Sequence, residues 1–218
     1  MKRSFDRLAQ IYRVLEFLAF GGDLERARFR HLAELRDCRS ILIAGEGDGR
    51  CLQQLLSAAP QARITCVDIS AGMIARARER IAADSGARER VEFIQADIRE
   101  WAPPAGPFDA IVTLFVLDCF DPAECEAIVA RWVRVLAPVG WWLWADFVEP
   151  ASGWRRWRAR IWLRVLYTFF RWQTGLDVRA LPPAETIIRD QAFEEAADIS
   201  LQHGLIRSVA FRRLRKIR

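Results

Sequence analysis

Three glycines and one aspartate are the first residues in this 218-residue chain whose spacing suggests chemistry. Gly45, Gly47 and Gly49 alternate directly after residues 41–44, an apolar run that is too short for a helix and suits a buried parallel strand. Without a Cβ atom, glycine lets the backbone turn sharply and lets a ligand approach the peptide groups. Asp68 lies 23 positions after Gly45, near the spacing at which nucleotide-binding folds place a carboxylate on ribose hydroxyls. The pattern predicts a nucleotide site, although a plain tight turn uses alternating glycines too.

The glycine spacing argues against two common nucleotide sites. The dinucleotide fingerprint needs Gly-x-Gly-x-x-Gly, but the positions that would complete it hold Arg50 and Leu52. A phosphate-binding loop needs Gly-Lys-Ser/Thr, and no lysine is nearby. The predicted strand, loop and following helix therefore point to a different α/β nucleotide site.

Four motifs, in the right order, resemble those of class I S-adenosylmethionine-dependent methyltransferases. The Gly-x-Gly-x-Gly stretch resembles the first motif, and residues 67–77 resemble the second, Asp-x-Ser-x-x-Met followed by a helix. Residues 108–118 are similar to the fourth strand with its flanking Phe-Asp, and residues 134–140 to the Leu-x-Pro-Gly-Gly turn. The resemblance covers residues 5 to about 150 and implies an α/β fold: a Rossmann-like, doubly wound, mostly parallel seven-stranded sheet with an antiparallel C-terminal hairpin.

The resemblance also implies a binding site for S-adenosyl-L-methionine, whose product is S-adenosyl-L-homocysteine. Asp68 would accept the ribose hydroxyls, Ile69 and Met73 would pack on the adenine, and Asp97 would accept a hydrogen bond from its amino group. The full set of expected cofactor residues is Gly45, Glu46, Gly47, Asp68, Ile69, Met73, Asp97, Ile98, Thr113 and Leu114, with the last two beside the methionine part. A core position for Met73 and a turn or helix cap for Asp68 remain alternatives.

One position departs from the family pattern. Most relatives carry an acid two residues before the first glycine, which helps to hold the methionine amino group, and this chain has Ile43 there. Glu46 and Asp48 are the candidates to replace it, and our hypothesis is that Glu46 does so electrostatically. The other alternative is that backbone carbonyls hold the ammonium group.

Candidate catalytic residues follow from the expected strand ends, where open α/β sheets bind ligands. Methyl transfer gains from a group that removes the proton of the nucleophile. Asp118 follows the fourth predicted strand and is the first candidate, with Asp146, Tyr12 and Tyr167 as the others. Tyr12 belongs to residues 5–12, which resemble the Tyr-Asp-x-x-Ala-x-x-Tyr opening that folds over cofactor and substrate in this family.

Length and composition favour one domain, residues 1–218, with an N-terminal helical cap (1–40) and a substrate-side helical insertion (148–195). No apolar run reaches eighteen residues and the charged start does not lead into a signal core, so a cytoplasmic location is expected, with a possible peripheral position on the inner membrane surface. The five cysteines show no Cys-x-x-Cys spacing, which supports neither a metal site nor a disulfide framework.

The insertion carries an apolar stripe at helical spacing. Its members are Trp154, Trp157, Ile161, Val165, Phe169 and Trp172. The stripe could pack on the sheet as core, line a pocket for a hydrophobic substrate, or rest on a membrane through residues 154–172. Residues 151–218 hold 14 basic and 6 acidic side chains, whereas residues 1–150 hold 19 and 22. This polarity suits an anionic surface but is also typical of a solubilising surface.

The sequence thus predicts methyl transfer from S-adenosyl-L-methionine to a small hydrophobic or lipid-like acceptor. No nucleic-acid module is visible, so we expect no nucleic-acid partner, and the oligomeric state stays open. The alternatives are an NAD(P)-dependent oxidoreductase, which the glycine spacing disfavours, and a cofactor-binding membrane-surface or regulatory protein without catalysis.

Overall fold

A single seven-stranded sheet organises the protein. The computed structural model describes residues 21–104, 106–174 and 181–215, and for residues 165–174 it describes the backbone alone. The strands are β1 (Ser40–Ala44), β2 (Arg63–Asp68), β3 (Val91–Gln95), β4 (Phe108–Leu114), β5 (Leu136–Phe147), β6 (Phe193–Leu201) and β7 (Ile206–Arg213). Their order is β3-β2-β1-β4-β5-β7-β6. The first five strands are parallel, and β7 is antiparallel to both β5 and β6. The predicted fold class, including the antiparallel C-terminal hairpin, is confirmed.

The central strand β1 is buried on both faces, as its continuous apolar run predicts. Ile41 and Ile43 belong to one hydrophobic cluster, while Leu42 and Ala44 belong to a second one. This alternation follows from the two-residue period of a strand, and it requires helices on both sides of the sheet. After β1 the chain builds outwards to β2 and β3 and then returns to β4 on the other side. Such a reversal opens a crevice at the carboxyl ends of β1 and β4.

Helices cover the two faces unequally. The helices are α1 (Asp23–Phe29), α2 (Arg50–Ala58), α3 (Ala71–Ile81), α4 (Ser85–Arg90), α5 (Pro122–Val133), α6 (Gly153–Thr174) and α7 (Ala184–Arg189). Buried residues of α1, α2, α3 and α6 join the cluster of Ile41 and Ile43, and those of α5 and α7 join the cluster of Leu42. Of the predicted N-terminal cap, the structure describes α1 and a short 3-10 helix, Leu32–Leu35.

Two boundaries in the second half differ from the sequence prediction. The sequence pattern predicts a helix over residues 122–136, but that helix ends at Val133. It also predicts a strand at residues 141–144, but the strand starts already at Leu136. The reason is pairing with β4, because the backbone N–H of Phe108 donates to Val135 O at 2.8 Å. A backbone hydrogen bond to a neighbouring strand outweighs the local helical pattern. The periodicity of the sequence alone does not reveal such a bond.

Helix α6 does not pack on the sheet through the predicted apolar stripe. Its buried positions are Ala159 and Leu163, whereas Trp154, Trp157 and Ile161 are exposed. The core interpretation is therefore wrong for these three residues. The later stripe members, Val165, Phe169 and Trp172, have side chains outside the described part of the structure.

Candidate active site

The glycine loop connects β1 to α2 at the crevice of the sheet. All three glycines have positive φ angles, 63° at Gly45, 73° at Gly47 and 88° at Gly49. A Cβ atom on Gly45 would lie 2.5 Å from Val116 Cγ2, and one on Gly49 would lie 2.7 Å from the Ala77 Cα atom. A Cβ on Gly47 would meet nothing within 4 Å. Close packing therefore explains two of the glycines, whereas Gly47 presents its backbone to open space.

Asp68 ends β2 directly beside this loop. Its Oδ2 accepts a hydrogen bond from the Gly47 N–H at 3.2 Å, and its Oδ1 accepts one from the Ser70 N–H at 2.8 Å. Burial raises the pKa of Asp68, and these two backbone bonds act in the opposite direction. An ionised carboxylate has about four acceptor positions, so two remain for hydroxyl groups of a ligand. Asp68 thus fixes the loop and retains the capacity to bind a diol.

Next to Asp68 lies an apolar surface that the fold leaves uncovered. Ile69 is 62% exposed although it is a large aliphatic residue, and Met73 is half-buried in the first turn of α3. Ser70 caps that helix, because its Oγ accepts from the Met73 N–H at 3.3 Å. Ile69, Met73 and Asp68 are therefore held on one short turn, where a flat aromatic ligand could bind against the two apolar side chains.

The side chains of four other predicted cofactor residues already have partners within the protein. Both carboxylate oxygens of Asp97 accept hydrogen bonds from Arg99, at distances down to 2.6 Å. Ile98 and Leu114 are buried in the core. Thr113 is fully buried, and its Oγ1 accepts from Trp142 Nε1 at 2.9 Å. The Thr113 side chain is thus committed to the core, and its backbone pairs with strands on both sides.

The two acids inside the glycine loop have separate roles in the structure. Asp48 forms ion pairs with Arg50 and Arg80, each at 3.1 Å. Burial alone would raise the pKa of Asp48, but the hydrogen bond and charge of Arg50 outweigh it and lower that pKa. This engagement makes Asp48 the poorer of the two candidates for the acid missing at Ile43.

Glu46 instead turns inwards to the start of α2. Its Oε1 accepts from the Leu52 N–H at 2.9 Å, so the carboxylate lies at the positive end of the helix. Burial raises the pKa of Glu46 to about 8, against the effect of this hydrogen bond and of the nearby Arg28 charge. Glu46 therefore holds its proton at neutral pH and would become ionised when a cation approaches.

Asp118 and Asp146 form a buried acid pair at the carboxyl ends of β4 and β5, with Asp118 just after β4 and Asp146 near the end of β5. Asp118 lies in a 3-10 turn, Leu117–Cys119, and hydrogen-bonds to Asp146. Trp144 Nε1 donates to Asp146 Oδ2 at 2.6 Å. Burial raises the pKa of Asp118 to about 6 and that of Asp146 well above its ordinary value, and the charge of Asp118 adds to the latter. Two neighbouring carboxyls in such surroundings share one proton. Above pH 6 the pair can therefore accept a second proton.

A cationic and aromatic group that the sequence analysis did not identify lies near this pair. The Arg28 guanidinium carbon lies 4.9 Å from the centre of the Phe115 ring, and the Phe115 and Phe147 rings are 5.3 Å apart. The Arg28 charge acts on both Glu46 and Asp118. Phe115 has a φ of 57°, an unusual conformation that strand periodicity does not reveal. Tyr12, the other predicted catalytic residue, lies outside the described residues.

Known proteins are similar in sequence to part of this chain. Residues 41–140 match the sequence model of a family described as methyltransferase domain. The trans-aconitate 2-methyltransferase of Azoarcus sp. (strain BH72) is 38% identical over 127 residues, which are 57% of this chain and 46% of that protein. The chain spans less than half the length of the curated relatives that it matches.

Solved structures share the fold over most of the chain. The N-methyltransferase NodS from Bradyrhizobium japonicum WM9, in complex with S-adenosyl-L-homocysteine, superposes with a TM-score of 0.64 at 22% identity and covers 87% of each chain. The cyclase SpnF superposes with a TM-score of 0.63 at 17% identity, covering 86% of this chain and 80% of its own. At these identities the likeness concerns the fold, which hosts more than one chemistry. Residues 41–140 thus match a methyltransferase-domain family, and the described chain has the fold of the class I S-adenosylmethionine-dependent methyltransferases.

Proposed function

We propose that the protein transfers a methyl group from S-adenosyl-L-methionine to a small hydrophobic acceptor. The observation that carries this proposal is the arrangement around Asp68: a buried carboxylate with free acceptor capacity, the open backbone of Gly47 and the exposed Ile69. S-adenosyl-L-methionine has a part to match each feature. Its ribose diol suits the carboxylate, its methionine tail suits the open space at the loop, and its flat adenine suits the exposed apolar side chain. When bound, the cofactor supplies an electrophilic methyl group whose leaving group is a neutral thioether.

The roles of the residues follow from their positions. Asp68 would accept the ribose hydroxyls, Ile69 and Met73 would pack on the adenine, and Glu46 would face the ammonium group. Phe115 and Phe147 offer an aromatic wall for an apolar acceptor, whose orientation accounts for most of the rate of such a reaction. As the acceptor bonds to the methyl group and the neutral thioether leaves, the carboxylate of Asp118 would take the acceptor's proton.

A carboxylate acceptor is the second candidate, and Arg28 favours it. The Arg28 guanidinium lies over Phe115 and within electrostatic range of Asp118, so an anionic group in the cleft would meet a fixed positive charge. The curated relatives named trans-aconitate 2-methyltransferase are consistent with an acidic acceptor. A carboxylate carries no proton at neutral pH, and its methylation therefore needs no base.

Calorimetric titration with S-adenosyl-L-methionine, S-adenosyl-L-homocysteine and NAD tests the cofactor. We expect binding of the first two, and a loss of about tenfold or more in affinity for Asp68→Asn, because the amide offers fewer acceptor positions to the ribose. Asp190→Asn, at an exposed aspartate after α7, is the matched control and should bind normally. Binding of NAD alone would favour the oxidoreductase alternative and would refute the proposal.

Transfer of a labelled methyl group to a panel of neutral hydrophobic compounds and small carboxylic acids identifies the acceptor class. With a neutral acceptor, Arg28→Gln should leave KM nearly unchanged. With a carboxylate acceptor, the same substitution should raise KM about tenfold or more, since a charge-assisted contact is lost. Tight cofactor binding without transfer to either class would support the non-catalytic alternative.

A further inference from the structure

Helix α6 exposes an unusual amount of apolar surface near its start. Trp154 is 59% exposed, Trp157 70% and Ile161 44%, and these three account for half of the large, exposed apolar side chains in the described part of the chain. We call them the tryptophan ridge. At 100° per residue, the three positions lie within about 60° of one another on the helix. The ridge is therefore a continuous stripe and not a scatter of single residues.

The orientation of this ridge is fixed by the other side of the helix. Ala159 and Leu163, which are nearly opposite on the helical wheel, are buried in the core cluster. At the start of the helix, Arg158 donates to the backbone O and to Oε1 of Gln202, both at 3.1 Å. Because these contacts hold one face of α6, the tryptophan ridge lies on the opposite, exposed side of the helix. The Trp154 ring also contacts the His203 ring, with 5.2 Å between the ring centres.

The charge of α6 has one sign. From Gly153 to Thr174 the helix contains six arginines and no aspartate or glutamate. Arg160 and Arg164, both exposed, follow the edge of the ridge, and Glu149, just before the helix, pairs with Arg156 and Arg160. None of the described helices is long and apolar enough to cross a bilayer. An apolar stripe edged by cations thus suits a surface that is anionic outside and apolar just beneath it.

We propose that the tryptophan ridge docks the protein on an anionic lipid membrane surface. Tryptophan favours the boundary between headgroups and acyl chains, and each nearby arginine gains from the negative surface potential. The docking is independent of the proposed methyl transfer, since it needs neither cofactor nor acceptor.

Hydrogen bonds connect α6, which carries the ridge, to the start of α1. Gln202, which holds Arg158, donates from Nε2 to Asp23 Oδ2 at 2.7 Å, and Asp23 begins the helix α1 that carries Arg28. A membrane-bound α6 would therefore lie next to the element that faces the acceptor. An acceptor dissolved in the bilayer would then reach the cleft without crossing bulk water.

Flotation of the full chain with vesicles tests the docking. We expect co-flotation with phosphatidylglycerol vesicles, weak co-flotation with phosphatidylcholine vesicles, and release as salt rises, because salt screens the arginines. Trp154→Ala/Trp157→Ala should lower the partition coefficient about tenfold or more, and Arg164→Gln about fivefold. The matched controls are Leu214→Ala and Arg134→Gln, at exposed positions outside α6, and both should float like the unmodified chain.

A second measurement locates the contact. Vesicles with brominated acyl chains quench tryptophan fluorescence at the interface, and Trp154→Phe/Trp157→Phe should bind nearly as well but lose most of the quenching. Circular dichroism and thermal unfolding establish that each variant is folded. The proposal is overturned if the unmodified chain does not float with anionic vesicles, as when another segment or a second copy covers the ridge. It is also overturned if the double alanine variant is folded and floats normally.

Discussion

At the scale of single residues, the site is defined by buried carboxyls whose environments differ. Asp68 is tied by two backbone N–H groups, Glu46 lies at a helix start, and Asp118 pairs with Asp146. Burial raises the pKa of all four acids, to about 8 for Glu46 and to about 6 for Asp118. At neutral pH Glu46 therefore holds its proton, and it would face the cation of the cofactor. Asp118 is ionised at that pH, and it would receive the proton of the acceptor.

The pKa of Glu46, about 8, predicts proton release on cofactor binding. At pH 6.5 Glu46 is protonated, and an incoming ammonium group would ionise it. Calorimetry in buffers of different ionisation enthalpy should show a fraction of a proton or more released per cofactor bound. Glu46→Gln should abolish this release and weaken binding at low salt. Unchanged affinity at low salt would mean that Glu46 does not replace the missing acid.

If the acceptor must lose a proton, a base at Asp118 makes the rate of methyl transfer depend on pH. A base acts only when it is deprotonated, so kcat/KM should rise as pH rises through about 6, the pKa of Asp118. Asp118→Asn should lower kcat by about 100-fold or more and remove this limb. Cofactor affinity of the variant serves as the control and should not change. Full turnover by Asp118→Asn would exclude it as the base.

A substitution at Thr113 distinguishes a role in core stability from a role in cofactor binding. Thr113→Val keeps the shape but leaves Trp142 Nε1 buried without its acceptor, which should cost about 1–3 kcal/mol in the free energy of unfolding. Cofactor affinity, measured on the folded variant, should stay the same. A loss of affinity without a loss of stability would restore the role that the family resemblance implied.

At the scale of elements, the strand–loop–helix unit depends on where each glycine lies. Gly49→Ala would bring a Cβ against the Ala77 backbone of α3, in addition to the strain of a positive φ. Gly47 has the strain alone, because space is open beside it.

The two glycines should therefore respond differently to alanine. We expect Gly49→Ala to destabilise the fold by about 2–4 kcal/mol and Gly47→Ala by about 1 kcal/mol. Gly47→Ala should instead weaken cofactor binding, since its Cβ enters the space predicted for the ligand. Chemical denaturation and calorimetric titration of the two variants separate these effects, and equal destabilisation of both would contradict the packing explanation.

At the scale of the whole molecule, the buried acids predict how stability changes with pH. A carboxyl whose folded pKa exceeds its unfolded pKa binds more protons in the folded state, so its contribution to stability falls as pH rises between the two values. For Glu46 that interval runs from 4.5 to about 8, and Asp118 and Asp146 act in the same direction. The free energy of unfolding should be larger at pH 6 than at pH 8. Glu46→Gln should reduce that difference, and an increase in stability from pH 6 to pH 8 would contradict it.

The sequence by itself determined the fold class and predicted where the nucleotide site lies. The continuous apolar run of residues 41–44 gives β1, the three glycines after it take positive φ angles, and Asp68 is the last residue of β2. These signals are local, because a strand, a tight turn and a carboxylate at a strand end are all encoded within a few residues.

Only the tertiary structure decided which side chains meet. The pairing of Asp118 with Asp146, the approach of Arg28 to Phe115 and the hydrogen bond of Thr113 to Trp142 all join different elements. The same holds for α6, where helical spacing alone could not tell which side of an apolar helix is buried. That side depends on the partner against which the helix packs. Ala159 and Leu163 provided the contact, while Trp154 and Trp157 remained exposed.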